Sequence, residues 1–519
     1  MAKKNAPLLG IDLGTTRSVV AFVDADGKPE TIRNREGDLT TPSVVLFEEN
    51  QLTVGKEALK AFATLPESVA SFVKREMGKE VFSAKFAGDS YSPELISASI
   101  LERLRMDAEA KFGCKVQKAV VSVPAYFDET KRLATINAGL LAGLDVVAII
   151  NEPTAAALAF AGSKLPQHGG KEASELNPET ILVYDLGGGT FDVSIVDLEG
   201  IDFVVQATDG NARLGGMDWD KCLAGWLDDQ FESTHSIRPS QQLSGKVMLM
   251  REAEEIKKTL TARQKCRVRL VWEGLHLNAT VTRSEFEDLT AHLLDRTCFT
   301  VRHLLQENQM AWGDIDRIIL VGGSTRMPQV REALQRESGK LPEFTVSADE
   351  AVAHGAAIYA NATFVKSKED GTDTLKVTDV NAHDLGVLGH DRETTRRCNH
   401  TMIKRNTALP ASHLARFDTI RDNQRSVVVE IVEGGDRRGT HSNKLGRFVV
   451  DRLPAGLPVG TPVDVLFRYD RDGLITVEAY LPTANRHGKL TIDRAAPGKG
   501  GDFDKMQEIY SALNLLDEE

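Results

Sequence analysis

Asp12 and Asp185 each close an apolar run and are each followed at once by a turn of glycine and threonine: LLGIDLGTT in the first case, ILVYDLGGGT in the second. Such turns can hold an anion. The backbone N–H groups of Gly14, Thr15 and Thr16, and of Gly187, Gly188, Gly189 and Thr190, can approach anionic oxygens with little side-chain obstruction, and the threonine hydroxyls add donors. A carboxylate at the end of each preceding strand can hold hydrated Mg²⁺, a hard cation that prefers oxygen ligands and keeps several waters. A single glycine-rich hairpin is usually only a turn. Two matched copies, each with its aspartate, argue for a phosphate chain gripped from both sides.

A third element, RIILVGGSTRMPQV, reads as strand, Gly-Gly-Ser-Thr-Arg and helix. Gly322 and Gly323 permit close approach of a flat or anionic group at a helix start, with Ser324 beside them. Arg326 can lay a planar guanidinium on an adenine ring. Upstream, REAEEIKKTLT places Glu254, Lys257, Lys258 and Thr261 on one helical face. By itself this is a solvated charged face; it becomes a base-and-ribose clamp only if it borders the same cleft. The chain has no Gly-x-x-x-x-Gly-Lys-Ser/Thr loop, nucleophile elbow, His-Glu-x-x-His or post-strand Gly-x-Gly-x-x-Gly.

These residues need elements to hold them. LLGIDLGTTRSVVAFVD and ILVYDLGGGTFDVSIVD share one plan: apolar strand, Asp-Leu-Gly, small-residue turn, apolar strand, Asp. The repeat predicts a duplicated α/β lobe with the two turns facing each other across a cleft. Strand-like runs alternate with helical patterns up to about residue 365, as in PELISASILERLRMDAEAKF and RSEFEDLTAHLLDRTCFTVRHLLQEN. From Val365 the composition shifts. KSKEDGTDT is polar and reads as a linker. Alternating runs with turn signals follow, including an Asp472-Gly473 hairpin, and predict a compact β domain. The expected boundaries are 1–365, a linker at 366–378, the β domain at 379–496, and at 497–519 a Gly-rich spacer with a short helix. In that helix Phe503, Met506, Ile509, Leu513 and Leu516 form an apolar stripe that reads as a docking face or a partner-binding one.

The bulk numbers bound the rest. At 519 residues the chain exceeds a single core. Its 41% hydrophobic and 27% charged content is that of a globular protein, and no run approaches a membrane span. A net charge of −12 with scattered basic residues argues against a nucleic-acid partner. Five separated cysteines read as reduced thiols, and Cys398 with His400 lacks the further ligands of a metal site. Without a signal-peptide core near the first residue, a cytoplasmic protein is expected.

GIDLGTT, VPAYFDETKR, NEPTAAALAF, YDLGGGTFDVSI, LGGMDWD, GGSTRMP and DEAVAHGAA, in that order, resemble the successive signatures of the seventy-kilodalton heat-shock chaperone family, over about residues 8–496. The resemblance implies an actin-like, sugar-kinase-like duplicated ATPase fold followed by a β-sandwich that binds extended hydrophobic peptides. It implies ATP and ADP with Mg²⁺, K⁺ as a further cation, and a nucleotide-exchange factor as a partner. By the resemblance, Asp12, Asp185 and Asp192 would organise Mg²⁺ through water, and Glu152 would hold a water near it. Lys74 would position the attacking water, with Thr190 near the γ-phosphate. Gly215, Gly216, Glu254, Lys257, Lys258, Thr261, Gly322, Gly323, Ser324, Arg326 and Asp349 would enclose the nucleoside. Pro124 and Arg132 match a relay towards the peptide domain. Val387, His390, Phe417, Ile420, Val427 and Val429 fall where the family lines its peptide pocket, although strand alternation equally allows them to be core.

Four departures stand out. The linker Leu375-Lys376-Val377-Thr378-Asp379 is more polar than the family's, so weaker docking is expected. Ala148 replaces the arginine that engages J-domain co-chaperones, which leaves that partnership open. His390 and the charged stretch Asp391 to His400 replace a short apolar pocket loop. The residues after the β domain are too few for a multi-helix lid, so a lid-less form with fast peptide exchange is expected. Two other readings remain: a nucleotide-switched scaffold for a folded partner, and a small-molecule kinase on the same duplicated fold.

Overall fold

The computed structural model describes residues 7–49, 51–86, 88–164, 177–200, 202–344, 347–366, 375–391, 394, 396–471, 473–492 and 501–516. The repeat seen in the sequence is a repeat of topology. In the first sheet the order is Asp145–Asn151, Lys118–Val123, Leu9–Asp12, Arg17–Val23, Pro29–Thr31; in the second it is Glu343–Phe344, Arg317–Val321, Glu179–Leu186, Phe191–Glu199, Asp202–Asn211. Each sheet has a glycine-turn hairpin at its centre, an antiparallel strand on one side and parallel strands on the other.

The two sheets are tied by the helices Glu152–Lys164 and Ala351–Asn361. These approach so closely that a Cβ on Gly355 would lie 1.7 Å from the carbonyl oxygen of Ala155. Small residues (Ala155, Ala156, Ala157, Ala356, Ala360) make that approach possible and are fully buried. The expected long helices are present as Pro93–Phe112 and Arg283–Glu307. The first starts on Ser92, whose hydroxyl accepts the Leu95 N–H at 3.2 Å, and ends at Gly113 with φ 64°. The second starts on a reciprocal cap, in which Thr282 Oγ1 accepts the Glu285 N–H at 3.2 Å and Glu285 Oε2 accepts the Thr282 N–H at 2.7 Å.

The C-terminal β region is a sandwich. One sheet runs Arg397–Ile403, Leu385–His390, Val427–Glu433, Asn443–Val450; the other runs Ala411–Asp418, Pro462–Tyr469, Ile475–Leu481, Arg486–Ile492. Alternation sets its interior: Val429 and Ile431 point inward against Phe467, Val477 and Leu481, while Val428 is exposed. Asp472 of the expected hairpin turn lies outside the described residues; Gly473, at φ 82°, sits in a loop closed by Asp470 N–H to Leu474 O at 3.1 Å.

The structure bears on three expectations. The polar linker does dock: Lys376–Thr378 forms a parallel edge strand on Asp202–Val204. Strand addition is satisfied by main-chain groups and needs no apolar side chains, which is why polarity was a poor guide. In the tail, the helix Gly501–Ala512 packs Phe503, Met506 and Tyr510 on the first lobe's core, Leu513 just beyond it packs there too, and Ile509 is exposed. Tyr510 takes its place because its hydroxyl finds Glu102 Oε2 at 2.6 Å. The chain then adds a short parallel strand, Asn514–Leu515, to Gln51–Leu52. Residues 367–374 and 493–500, which hold most of the expected linker and spacer, lie outside the described set. Of the charged stretch read as a loop over the pocket, Arg397 to His400 are strand instead, paired with Val387 to His390.

Candidate functional site

The two glycine turns meet face to face. A Cβ on Gly189 would lie 2.5 Å from Thr15 Oγ1, and one on Gly188 would lie 2.6 Å from Thr16 Oγ1. Only glycine allows that approach. Behind the turns stand four carboxylates (Asp12, Asp185, Asp192, Glu152) and one ammonium, Lys74. Lys74 and Glu152 form a short buried ion pair. Ser122 Oγ donates to Asp12 Oδ1 at 3.1 Å, and the Tyr126 N–H donates to Asp192 Oδ1 at 3.0 Å.

The electrostatics of this cluster follow from burial and charge excess. Burial, reinforced by Glu152, pushes Asp12 up to about 7. Burial raises Asp192 to about 6, against the pull of the Tyr126 N–H and Lys74. Asp185 and Glu152 are also raised, by burial first and then by neighbouring carboxylates. For Lys74, burial alone would lower the pKa, but Glu152 and Asp12 outweigh it and keep the ammonium charged. One lysine cannot balance four carboxylates, so the pocket favours a further cation with hard oxygen preference. Among the described residues, no three His, Cys, Asp or Glu side chains converge tightly enough to ligate a metal directly.

The third element closes the same cleft. A Cβ on Gly216 would lie 2.3 Å from Ser324 Oγ and 3.0 Å from Lys257 Nζ. Ser324 Oγ donates to Gly187 O at 2.9 Å, and Lys257 Nζ donates to Gly216 O at 3.1 Å. Lys257 therefore turns inward, held also by Asp220. Arg326 pairs with Asp349 at 2.6 Å beside Gly322 and Gly323. Lys258 instead faces solvent, pairing with Glu254 and Glu255, both at 3.0 Å, and the Thr261 hydroxyl donates to Lys257 O at 3.0 Å. The structure thus brings Gly215, Gly216, Lys257 and Ser324 to the second glycine turn, and leaves Glu254 and Lys258 as a solvated pair.

Residue-type reasoning gave no role to Arg75 or Asp218. Arg75 Nε donates to Gly189 O at 2.8 Å while its guanidinium pairs with Asp218, and Asp218 Oδ2 accepts the Gly215 N–H at 3.0 Å. This bridge fixes the second glycine turn to the start of the helix Gly216–His235. Its signal was available: Arg75 follows Lys74 directly, and Asp218 lies in LGGMDWD.

The site is wired to the β sandwich. Arg132 donates to Phe127 O and Ala125 O, both at 2.9 Å, and to Asn151 Oδ1 at 2.8 Å; Asn151 Nδ2 in turn donates to Asp379 Oδ2 at 2.6 Å. Pro124 O accepts the Phe127 N–H at 3.1 Å, shaping the same turn. Glu433 Oε2 accepts the Glu129 N–H at 2.8 Å, and Asn406 Oδ1 accepts the Thr208 N–H at 3.0 Å.

The peptide-pocket candidates are dispersed by the fold. Val387 and Val429 are core residues of the sandwich, Phe417 and Val427 lie half-buried at its margin, and Ile420 and His390 are exposed. His400 takes an edge-on position against Phe417 at 5.2 Å and lies 3.1 Å from Cys398 Sγ. No described helix is long and apolar enough to cross a membrane.

Residues 8–519 match the family described as Hsp70 protein. The chain is 38% identical over 519 residues to the chaperone protein DnaK of two strains of Halobacterium salinarum, covering 99% of this chain and 79% of each relative.

Proposed function

The chain belongs to the Hsp70 family, and on that premise we propose that it is a chaperone in which ATP hydrolysis between the two glycine turns controls the affinity of the β sandwich for extended hydrophobic peptides. The observation that carries this reading is the buried cluster of Asp12, Lys74, Glu152, Asp185 and Asp192 behind two facing phosphate-type turns, hydrogen-bonded through Tyr126 to the sandwich.

In this reading the N–H groups of Gly14 to Thr16 and Gly187 to Thr190 cradle the β- and γ-phosphates. Gly215, Gly216, Lys257, Ser324 and the Arg326–Asp349 pair hold the nucleoside, with Glu254, Lys258 and Thr261 on its outer side and Gly322 and Gly323 leaving room for it. Asp12, Asp185 and Asp192 would hold Mg²⁺ through its waters; when bound, the ion neutralises phosphate charge. The Lys74 ammonium, kept protonated by Glu152, orients the attacking water and stabilises charge on the γ-phosphoryl group. The Thr190 hydroxyl donates to the same group. The work is positioning and electrostatics, as expected for phosphoryl transfer. Pro124 and Arg132 carry the state of the cluster to Asp379 at the end of the linker. Val427, Phe417 and Ile420 offer apolar surface at the sandwich margin; peptide would bind by strand addition there, with Val387 and Val429 supporting it from within.

The test follows release of a fluorescent, Leu-rich extended peptide from the pure protein, first with ADP and then after ATP is added. Release that accelerates with ATP supports the chaperone cycle. A peptide that binds in neither state would leave the ATPase standing and favour the nucleotide-switched scaffold.

A further inference from the structure

A cavity of about 220 Å³ opens where the two ATPase lobes and the β sandwich meet. Its wall includes Lys74, Arg75, Lys79, Lys131 and Arg213, against one carboxylate, Asp128, and its lip is completed by Asn443 of the sandwich. The volume is several times the roughly 30 Å³ share of a single water. The inner wall is the back of the catalytic cleft: Lys74 pairs with Glu152, and Arg75 Nε donates to the carbonyl of Gly189 in the second glycine turn.

The charge does not cancel inside the pocket. Lys131 pairs with Asp128 at 2.9 Å, Lys79 with Glu76 at 3.2 Å, and Arg75 with Asp218. Arg213 is exposed at the rim, and among the described residues its guanidinium has no ion-pair or hydrogen-bond partner. On the cleft side of Lys74 the field has the opposite sign, since Asp12, Glu152, Asp185 and Asp192 converge there. An anion set free at the cleft therefore moves down a potential gradient towards this cavity.

We propose that this three-way junction is a binding site for inorganic phosphate, and that it takes the phosphate released by hydrolysis before it reaches solvent. The proposal rests on the ATPase reading above. Arg213 supplies the free fork for two phosphate oxygens, Lys79 and Lys131, each held by its own carboxylate, line the site, and the amide of Asn443 adds a contact present only while the sandwich is docked.

Filling the cleft with a non-hydrolysable ATP analogue blocks the γ-phosphate position, so that phosphate titrated into the full chain can report only the junction. Calorimetry at constant ionic strength should then detect phosphate binding. Arg213→Ala should weaken it at least fivefold, Arg213→Glu at least tenfold, and Arg213→Lys by no more than about twofold. In a single turnover, appearance of phosphate in solution should lag ATP cleavage, and Arg213→Glu should shorten that lag. No phosphate binding with the analogue in place, equal binding in all variants, or an unchanged lag would each overturn the assignment. Analogue binding is read in the same titration, so a failure of the nucleotide site is seen separately from a failure of the junction.

Discussion

Asp192 and His383 are joined through one residue: Tyr126 donates its N–H to Asp192 Oδ1 at 3.0 Å, and its carbonyl oxygen lies 3.0 Å from His383 Nε2. Asp192 belongs to the acidic cluster; His383 leads into the first strand of the sandwich. Burial lowers the His383 pKa, so the ring is neutral near pH 7 and places its single N–H on that carbonyl. The aromatic and imidazole rings also pack edge to face, their centroids 4.4 Å apart. On the proposed reading, a displacement of Asp192 on nucleotide binding would reach the sandwich through this one peptide unit. In His383→Ala, single-turnover ATP cleavage should stay within twofold, while the acceleration of peptide release by ATP should fall at least fivefold. Stopped-flow release that keeps its full ATP response would show that this link carries no coupling.

A second contact between the same bodies is titratable. Burial pushes Glu433 up to about 8, with Glu129 and Asp128 adding to the shift, while the Glu129 N–H and Arg132 oppose it. Freed into water, a glutamate titrates near 4.3. Between those values the docked state keeps a proton that the undocked state has lost, so docking takes up a proton and weakens as pH rises. The loss approaches tenfold per pH unit and levels off above about 8; below about 4 the dependence vanishes. Small-angle scattering at pH 6, 7 and 8 should show a growing undocked fraction. Glu433→Gln should flatten that trend and stay docked at pH 8. Equal slopes in the two proteins would remove Glu433 from the explanation.

Lys74 offers a test of the proposed catalytic cluster. Lys74→Ala leaves Glu152 buried without its counter-charge, which costs about 3–5 kcal/mol, so the variant should unfold at lower temperature when nucleotide-free. Thr190→Ala carries no such penalty. Both should bind ATP within threefold of wild type and cleave it at least tenfold more slowly, because only contacts that strengthen in the transition state are lost. Filter binding and acid-quench kinetics separate the two effects. Unchanged cleavage in both variants would displace the active site assigned to this cleft.

How much of this was legible in the sequence depends on which atoms do the work. The facing turns were, because backbone-to-backbone approach demands glycine at Gly188 and Gly189 and leaves that demand visible as a residue type. The Lys74–Glu152 pair was not, since its members lie 78 residues apart and the family resemblance gave each a separate role without pairing them. The Tyr126 link to Asp192 and His383 uses an N–H and a carbonyl that every non-proline residue carries, so nothing in the sequence marks it. The linker's pairing was hidden for the same reason: Lys376 to Thr378 dock through main-chain groups. For the pocket candidates, period-two alternation allowed both core and ligand contact. The fold resolved Val387 and Val429 as core and left Ile420 in solvent.

The C-terminal segment makes the last case. Phe503, Met506, Tyr510, Leu513 and Leu515 pack on the first lobe, and the Leu516 N–H donates to Leu52 O at 2.9 Å. The sandwich is therefore tethered at both ends, by Lys376–Thr378 to the second lobe and by this tail to the first. Partial burial of each apolar side chain is worth about 1 kcal/mol, and the Tyr510 hydroxyl bond to a carboxylate about 1.5–3 kcal/mol. Met506→Asp inserts a charge into that contact and should release the tail, whereas Tyr510→Phe should only loosen it. Hydrogen exchange offers the readout: the amides of residues 51–54 and 514–516 should lose protection strongly in Met506→Asp and weakly in Tyr510→Phe. With one tether gone, the effective concentration that keeps the sandwich docked falls, so Met506→Asp should also expand in scattering when ADP is bound. Protection that survives Met506→Asp would mean that the tail does not hold the first lobe in solution.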